Sequence, residues 1–155
     1  MVTTRLVAAI ACVLGLWGCN DTTTPSTPTQ QGAVTGRWTG DLTIQGVTGQ
    51  MVWTLTQSGT SVTGPATIGL PNGVIFVNGI LTGTNTGTSL TYTIAVAPSG
   101  VPTQPSCTGR FDGTMSVNTG AVSTMVGSMA LTSTSRNIQF PAATVTLTKQ
   151  SGLGM

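Results

Sequence analysis

Apolar and polar residues alternate along most of this chain, and this period of two restricts the fold more than any other feature. In the segment GRWTGDLTI, Trp38, Leu42 and Ile44 share one face, whereas Arg37 and Asp41 fall on the other. Successive side chains of a β-strand point to opposite faces of a sheet, whereas helical side chains repeat every 3.6 residues. The segment is therefore predicted to form a half-buried strand.

Comparable segments follow at intervals along the rest of the chain. The eight predicted strands are GRWTGDLTI, MVWTLTQ, SVTGPATI, GVIFVNGILTG, SLTYTIAV, CTGRFDGTMSV, AVSTMVGSMAL and IQFPAATVTLTK. The fourth segment is almost continuously apolar, so the alternation does not decide which of its residues point inward. Thr and Val favour strands, and Gly and Asn favour the turns between them. The sequence predicts an all-β fold of about eight antiparallel strands, with no helix.

The predicted connections differ in length in a regular way. Residues 57–60, 85–88 and 118–120 suit tight hairpin turns, whereas residues 45–50, 69–73, 97–106 and 132–137 suit longer loops. In an up-and-down meander, alternate connections lie at opposite ends. We therefore expect a small closed or partly open β-barrel with tight turns at one end. A β-sandwich, or an oligomer that shares a sheet, is the alternative.

The N-terminal segment predicts export. Residues 6–18, LVAAIACVLGLWG, are apolar but shorter than the roughly 20 residues that span a bilayer as a helix, and they suit the core of a signal peptide. Leu16, Gly18 and Cys19 resemble the lipobox of bacterial lipoproteins, although Trp17 stands where small residues are usual. The resemblance implies cleavage before Cys19 and acylation of that cysteine with chains such as palmitate. The alternative is an ordinary secreted protein cut near Gly18.

These features divide the chain into four regions. We expect a signal peptide over 1–18, a lipidated cysteine and Thr/Pro-rich tether over 19–33, one barrel domain over 34–150 and a disordered tail over 151–155. Asn20 replaces the Asp that retains enteric lipoproteins in the inner membrane, so the resemblance implies a lipid anchor in the outer membrane. After cleavage Cys107 has no intramolecular partner, and we expect it to be buried rather than paired with another chain.

The composition disfavours most catalytic chemistry. The chain has no His and no Glu, which excludes His-dependent triads, and it has too few ligands for an ordinary zinc site. Asp41 and Asp112 fall on outward faces with Arg37 and Arg110 nearby, as expected of surface ion pairs. The few basic residues form no patch for nucleic acid. We expect no catalytic residues, no metal, no cofactor and no nucleic-acid partner.

Gly36 and Trp38 open the predicted eight-strand meander as a G-x-W motif. This arrangement resembles the calycin group of avidin, lipocalin and fatty-acid-binding barrels. In lipocalins that Trp closes the barrel floor beneath a basic side chain. The resemblance therefore implies a structural Trp38 covered by Lys149, at the end of the last strand, or by Arg136.

A barrel of eight strands has room for packed side chains or for one small ligand. If the mouth is open, we expect Trp53 near the rim at the long-loop end, with Ile44, Ile68 and Val96 as inward neighbours, binding a small apolar molecule. Otherwise we expect a module that acts through its loops, such as a hydrolase inhibitor or an accessory in envelope assembly. Both alternatives describe a non-enzymatic lipoprotein of the cell envelope, with the bilayer and either an apolar ligand or an envelope protein as partners.

Overall fold

Eight antiparallel strands follow one another around a closed barrel. The computed structural model describes residues 34–44, 46–70, 74–133, 135 and 138–151. The strands are β1 (Gly36–Ile44), β2 (Val47–Ser58), β3 (Ser61–Gly69), β4 (Ile75–Asn85), β5 (Ser89–Val96), β6 (Gly109–Thr119), β7 (Ser123–Ser133) and β8 (Ile138–Lys149). The predicted signal peptide, the tether and most of the predicted tail lie outside the described residues.

Each strand pairs with the next, and β1 pairs with β8. The prediction of an all-β, eight-strand meander barrel is confirmed, and the sandwich alternative is excluded. The described part of the chain contains no helix, so none of its residues forms a helical membrane span.

The barrel closes over a short register between its first and last strands. Trp38 faces Lys149 and Thr39 faces Thr148 across this junction, and the amide of Gln150 donates to the carbonyl of Arg37 at 2.8 Å. A Cβ atom at Gly40 would collide with the carbonyl of Thr146 on β8. A side chain at that position would therefore force the two strands apart at the closing seam.

The first connection is shorter than the sequence predicted. Residues 45–50 were expected to form a loop, but β2 already begins at Val47, and Gly46 adopts the positive φ of 79° that a tight turn requires. The extension keeps the inward alternation of β2, because Gly49 is buried as Met51 is. As a consequence Trp53 lies in the middle of β2 and faces Trp38 directly.

Which residues of β4 point into the barrel depends on an irregularity in the register between β3 and β4. The pairing shifts between Ile68 and Gly69, so that Gly69 faces Ile75 whereas Ile68 faces Val77. Val77 is buried, whereas Ile75 and the extra residue Phe76 are both about half exposed. The nearly continuous apolar run thus contributes to the core and to the surface.

The two ends of the barrel differ. The tight-turn end carries the β2–β3, β4–β5 and β6–β7 turns together with Val34, where the described chain begins. The loop end carries the β1–β2, β3–β4, β5–β6 and β7–β8 connections, of which residues 97–108 form the longest. The predicted difference between the ends is present, although the β1–β2 connection at the loop end is also tight.

Candidate functional site

The tight-turn end of the barrel is closed by Trp38. Its side chain is fully buried, and its Nε1 donates a hydrogen bond of 2.7 Å to the carbonyl oxygen of Val34. The Nζ atom of Lys149 lies 5.6 Å from the centre of the indole ring, within the range of a cation–π interaction. Lys149 thus occupies the position that the calycin resemblance implied, whereas Arg136 lies outside the described residues.

A polar network next to Trp38 was not predicted from the sequence. The Oε1 atom of Gln57 accepts hydrogen bonds of 3.1 Å from the backbone amide of Val34 and from the Nδ2 of Asn85. Asn85 is fully buried, and its Oδ1 accepts from the amide of Gly87 at 3.1 Å. Gln57 and Asn85 each lie just before a tight turn, and this position was the only feature of the local sequence that pointed to a polar network there.

Trp53 lies inside the barrel and not at its rim. The expectation of a rim position is wrong, because the early start of β2 moves Trp53 away from the hairpin and into register with Trp38. Its side chain is fully buried and meets Tyr92 of β5 edge to face, with ring centroids 5.0 Å apart. The two rings come from non-adjacent strands and meet inside the barrel, near the middle of β2 and of β5.

The polar atoms of this aromatic pair differ in their bonding. The hydroxyl of Tyr92 donates to the carbonyl of Ser128 at 3.3 Å, whereas the buried Nε1 of Trp53 has no acceptor among the described residues. Burial, and secondarily the negative charge of Asp112, raises the pKa of Tyr92 above its ordinary value. Among the described side chains, the indole nitrogen of Trp53 is thus a buried donor without a partner.

The other predicted ligand neighbours are not gathered around Trp53. Ala66 is the residue that faces Trp53 on β3, and Ile68 lies two residues further toward the loop end, where it faces Met51. Val96 ends β5 and faces Gly109. Ile68 and Val96 are both buried, whereas the side chain of Ile44 lies outside the described residues.

The remaining candidates for chemistry lie on the outside of the barrel. Asp112 accepts a hydrogen bond of 2.7 Å from Thr93 and forms an ion pair of 2.7 Å with Arg110, so its carboxylate is held by neighbours. Cys107 lies in the β5–β6 connection, where its thiol donates to Gln104 at 3.1 Å. The expectation of burial is wrong for Cys107, which is half-buried in the connection between β5 and β6. Within the described ranges, no three His, Cys, Asp or Glu residues form a group that could hold a metal ion.

The outer surface carries a few large apolar side chains. Val74, Ile75 and Phe76 follow one another at the loop end and are each about half exposed. Ile80 projects from the outer face of β4, and Val122 lies in the β6–β7 turn at the opposite end.

No protein family, curated protein or solved structure matches this chain.

Proposed function

We propose that this protein is a non-enzymatic, lipid-anchored module of the bacterial cell envelope that acts through the outside of its barrel. The observation that carries this proposal is the edge-to-face pair of Trp53 and Tyr92 in the middle of the barrel. Side chains that occupy the interior leave the outer surface as the place where a partner binds.

The anchor is proposed from the sequence around Cys19. The apolar run of residues 6–18 and the lipobox-like Leu16, Gly18 and Cys19 support cleavage before Cys19 and acylation of its thiol and new amine. Asn20 favours the outer membrane. Partners on this proposal are the bilayer, through the acylated cysteine, and another protein of the envelope.

Expression of the full chain in a bacterium tests the anchor. Mass spectrometry of the N-terminal peptide should find acyl chains on Cys19, and the protein should sediment with membranes. Cys19→Ser should abolish acylation, whereas Cys12→Ser, a change of the same type within the apolar run, should leave it intact. A mature protein that begins at another residue without acyl chains would contradict the proposal.

A calycin-like carrier of a small apolar ligand is the second candidate function. The observation that favours it is the buried Nε1 of Trp53, which has no acceptor among the described residues and would suit the carbonyl or ether oxygen of a small molecule. Titration with such molecules should quench the Trp fluorescence of the parent protein and of Trp38→Phe, but not that of Trp53→Phe. Fluorescence that does not change in the parent would leave the surface proposal as the better one.

A further inference from the structure

Charge is distributed unequally around the barrel. From Leu42 to Gly109 the sequence contains no Asp, Glu, Lys, Arg or His. This stretch includes β2, β3, β4 and β5, which are adjacent in the barrel and make up half of its wall. The charged residues in the described part of the chain are Arg37, Asp41, Arg110, Asp112 and Lys149, on β1, β6 and β8. We call strands β2–β5 the uncharged half and strands β6–β8 with β1 the charged half.

The uncharged half ends in an apolar tip, which we define as Val74, Ile75 and Phe76. Their side chains are 51%, 46% and 52% exposed. The register shift between β3 and β4 lets the consecutive residues Ile75 and Phe76 both avoid the core. Ile80 extends this apolar surface along the outer face of β4, where it is 53% exposed and faces Pro65 and Ala95 on the neighbouring strands.

The size of this surface argues against a second protein chain as its occupant. Four half-exposed side chains of this size offer roughly 300–400 Å², because a large aromatic side chain buries about 150–250 Å² when it is covered completely. A stable protein–protein interface takes about 800 Å² from each partner. A lipid surface has no such requirement, because single apolar side chains can insert among its headgroups and acyl chains.

The absence of charge on strands β2–β5 also favours a lipid surface as the partner. A charged side chain that approaches the apolar part of a bilayer loses hydration at a large cost in free energy. The uncharged half can come close to lipid without that cost, and its outward Thr hydroxyls can form hydrogen bonds with headgroup oxygens. Five of the eight charged residues of the chain lie on the other half.

We propose that the apolar tip and the uncharged half rest on the surface of a lipid bilayer, with the charged half facing water. This inference rests on the proposed lipid anchor at Cys19, because residues 20–33 must then be long enough for the loop end to touch the bilayer. Residues 20–33 span up to about 43 Å at about 3.1 Å per residue. The longest strands of this barrel have 12 residues and are about 30 Å long along the axis, given about 3.3 Å per residue and a tilt of about 40°. A chain anchored at Cys19 is therefore long enough for the loop end to return to the bilayer.

Fluorescence quenching in lipid vesicles tests this orientation. Full-chain protein is purified from detergent-solubilised bacterial cells, whether or not it is acylated, and mixed with phosphatidylcholine vesicles with or without dibrominated phosphatidylcholine, which quenches tryptophan at close range. Phe76→Trp places a reporter in the apolar tip, and Val122→Trp places a control at the tight-turn end, where the native side chain is 62% exposed. The parent protein, with its buried Trp38 and Trp53, gives the background.

The brominated lipid should remove most of the emission that Phe76→Trp adds and little of the emission that Val122→Trp adds. The result should be the same at low and high salt, because the tip carries no charge for salt to screen. No quenching of the Phe76→Trp emission, or stronger quenching of the Val122→Trp emission, would overturn the inference.

Mass spectrometry of the same sample separates this inference from the proposed anchor. Acylated Cys19 without quenching at position 76 would leave the anchor standing and refute the contact of the tip with lipid. Quenching at position 76 in protein without acyl chains would support the contact and refute the anchor. Neither acylation nor quenching would refute both.

Discussion

Replacement of Trp38 and Trp53 by Phe, one at a time, should have unequal effects on stability. The two side chains are both fully buried and face each other on neighbouring strands, so they form a matched pair. They differ in their indole nitrogens, because Nε1 of Trp38 donates to Val34 at 2.7 Å, whereas Nε1 of Trp53 has no acceptor among the described residues.

The expected magnitudes follow from this difference. Each substitution removes ring atoms from a packed interior, at a cost of roughly 1 kcal/mol. Trp38→Phe also leaves the buried carbonyl of Val34 without its donor, which costs about 1–3 kcal/mol more, and it weakens the interaction with Lys149. Trp53→Phe removes a buried donor that had no partner, which offsets the loss of packing. We expect about 2–4 kcal/mol for Trp38→Phe and about 0–1 kcal/mol for Trp53→Phe.

Urea unfolding followed by far-ultraviolet circular dichroism measures both values without relying on Trp fluorescence. A difference of about 2 kcal/mol should separate the two unfolding midpoints by roughly 1 M urea if the slopes are equal. Equal losses, or a larger loss for Trp53→Phe, would refute the reasoning. Such a result would mean that the Trp53 nitrogen binds a water molecule or a ligand in solution.

Three further predictions concern Tyr92, Gly113 and Asn85. Since the pKa of Tyr92 is raised in the folded state, its contribution to stability is complete below pH 10, the ordinary pKa, and is lost as the pH rises above it. Above pH 10 the free energy of unfolding should therefore fall faster in the parent than in Tyr92→Phe, and the difference should grow by about 1.4 kcal/mol for each pH unit. Urea unfolding at a series of alkaline pH values measures this difference. Gly113→Ala should lower the free energy of unfolding by about 1–3 kcal/mol, because its Cβ would collide with a backbone carbonyl and lie 2.7 Å from the Tyr92 hydroxyl. The exposed control Gly120→Ala should change it by less than about 0.5 kcal/mol, and equal effects would contradict the packing argument. Asn85→Ala should lower the free energy of unfolding by about 1–3 kcal/mol, as measured by thermal unfolding. Asn118→Ala removes the same type of turn hydrogen bond at an exposed site and should lower it much less. Equal losses would show that burial of the Asn85 network adds no stability beyond that of the turn hydrogen bond.

The strands and their inward faces could be read from the sequence because alternation is a local property. A residue such as Leu90 or Met115 points inward whenever its neighbours in the strand are polar, whatever the strand pairs with. The order of the eight strands followed as well, because short connections make consecutive strands neighbours. These two properties were enough to predict a meander barrel.

Register and closure were decided only by the tertiary structure. A tight turn at Gly46, in place of the expected six-residue loop, extends β2 and brings Trp53 into register with Trp38. The sequence predicted only the loop, because the register of β1 with β2 is fixed by their pairing and not by local pattern. The hydrogen bond between Gln57 and Asn85 joins residues far apart in the chain, so no local pattern could predict it. The exposure of Phe76 depends on a register shift opposite Gly69, because an extra residue in one strand is visible only against its partner. Period-two alternation therefore determined which face of each strand is apolar, and pairing between strands decided which side chains meet inside the barrel and which remain on its surface.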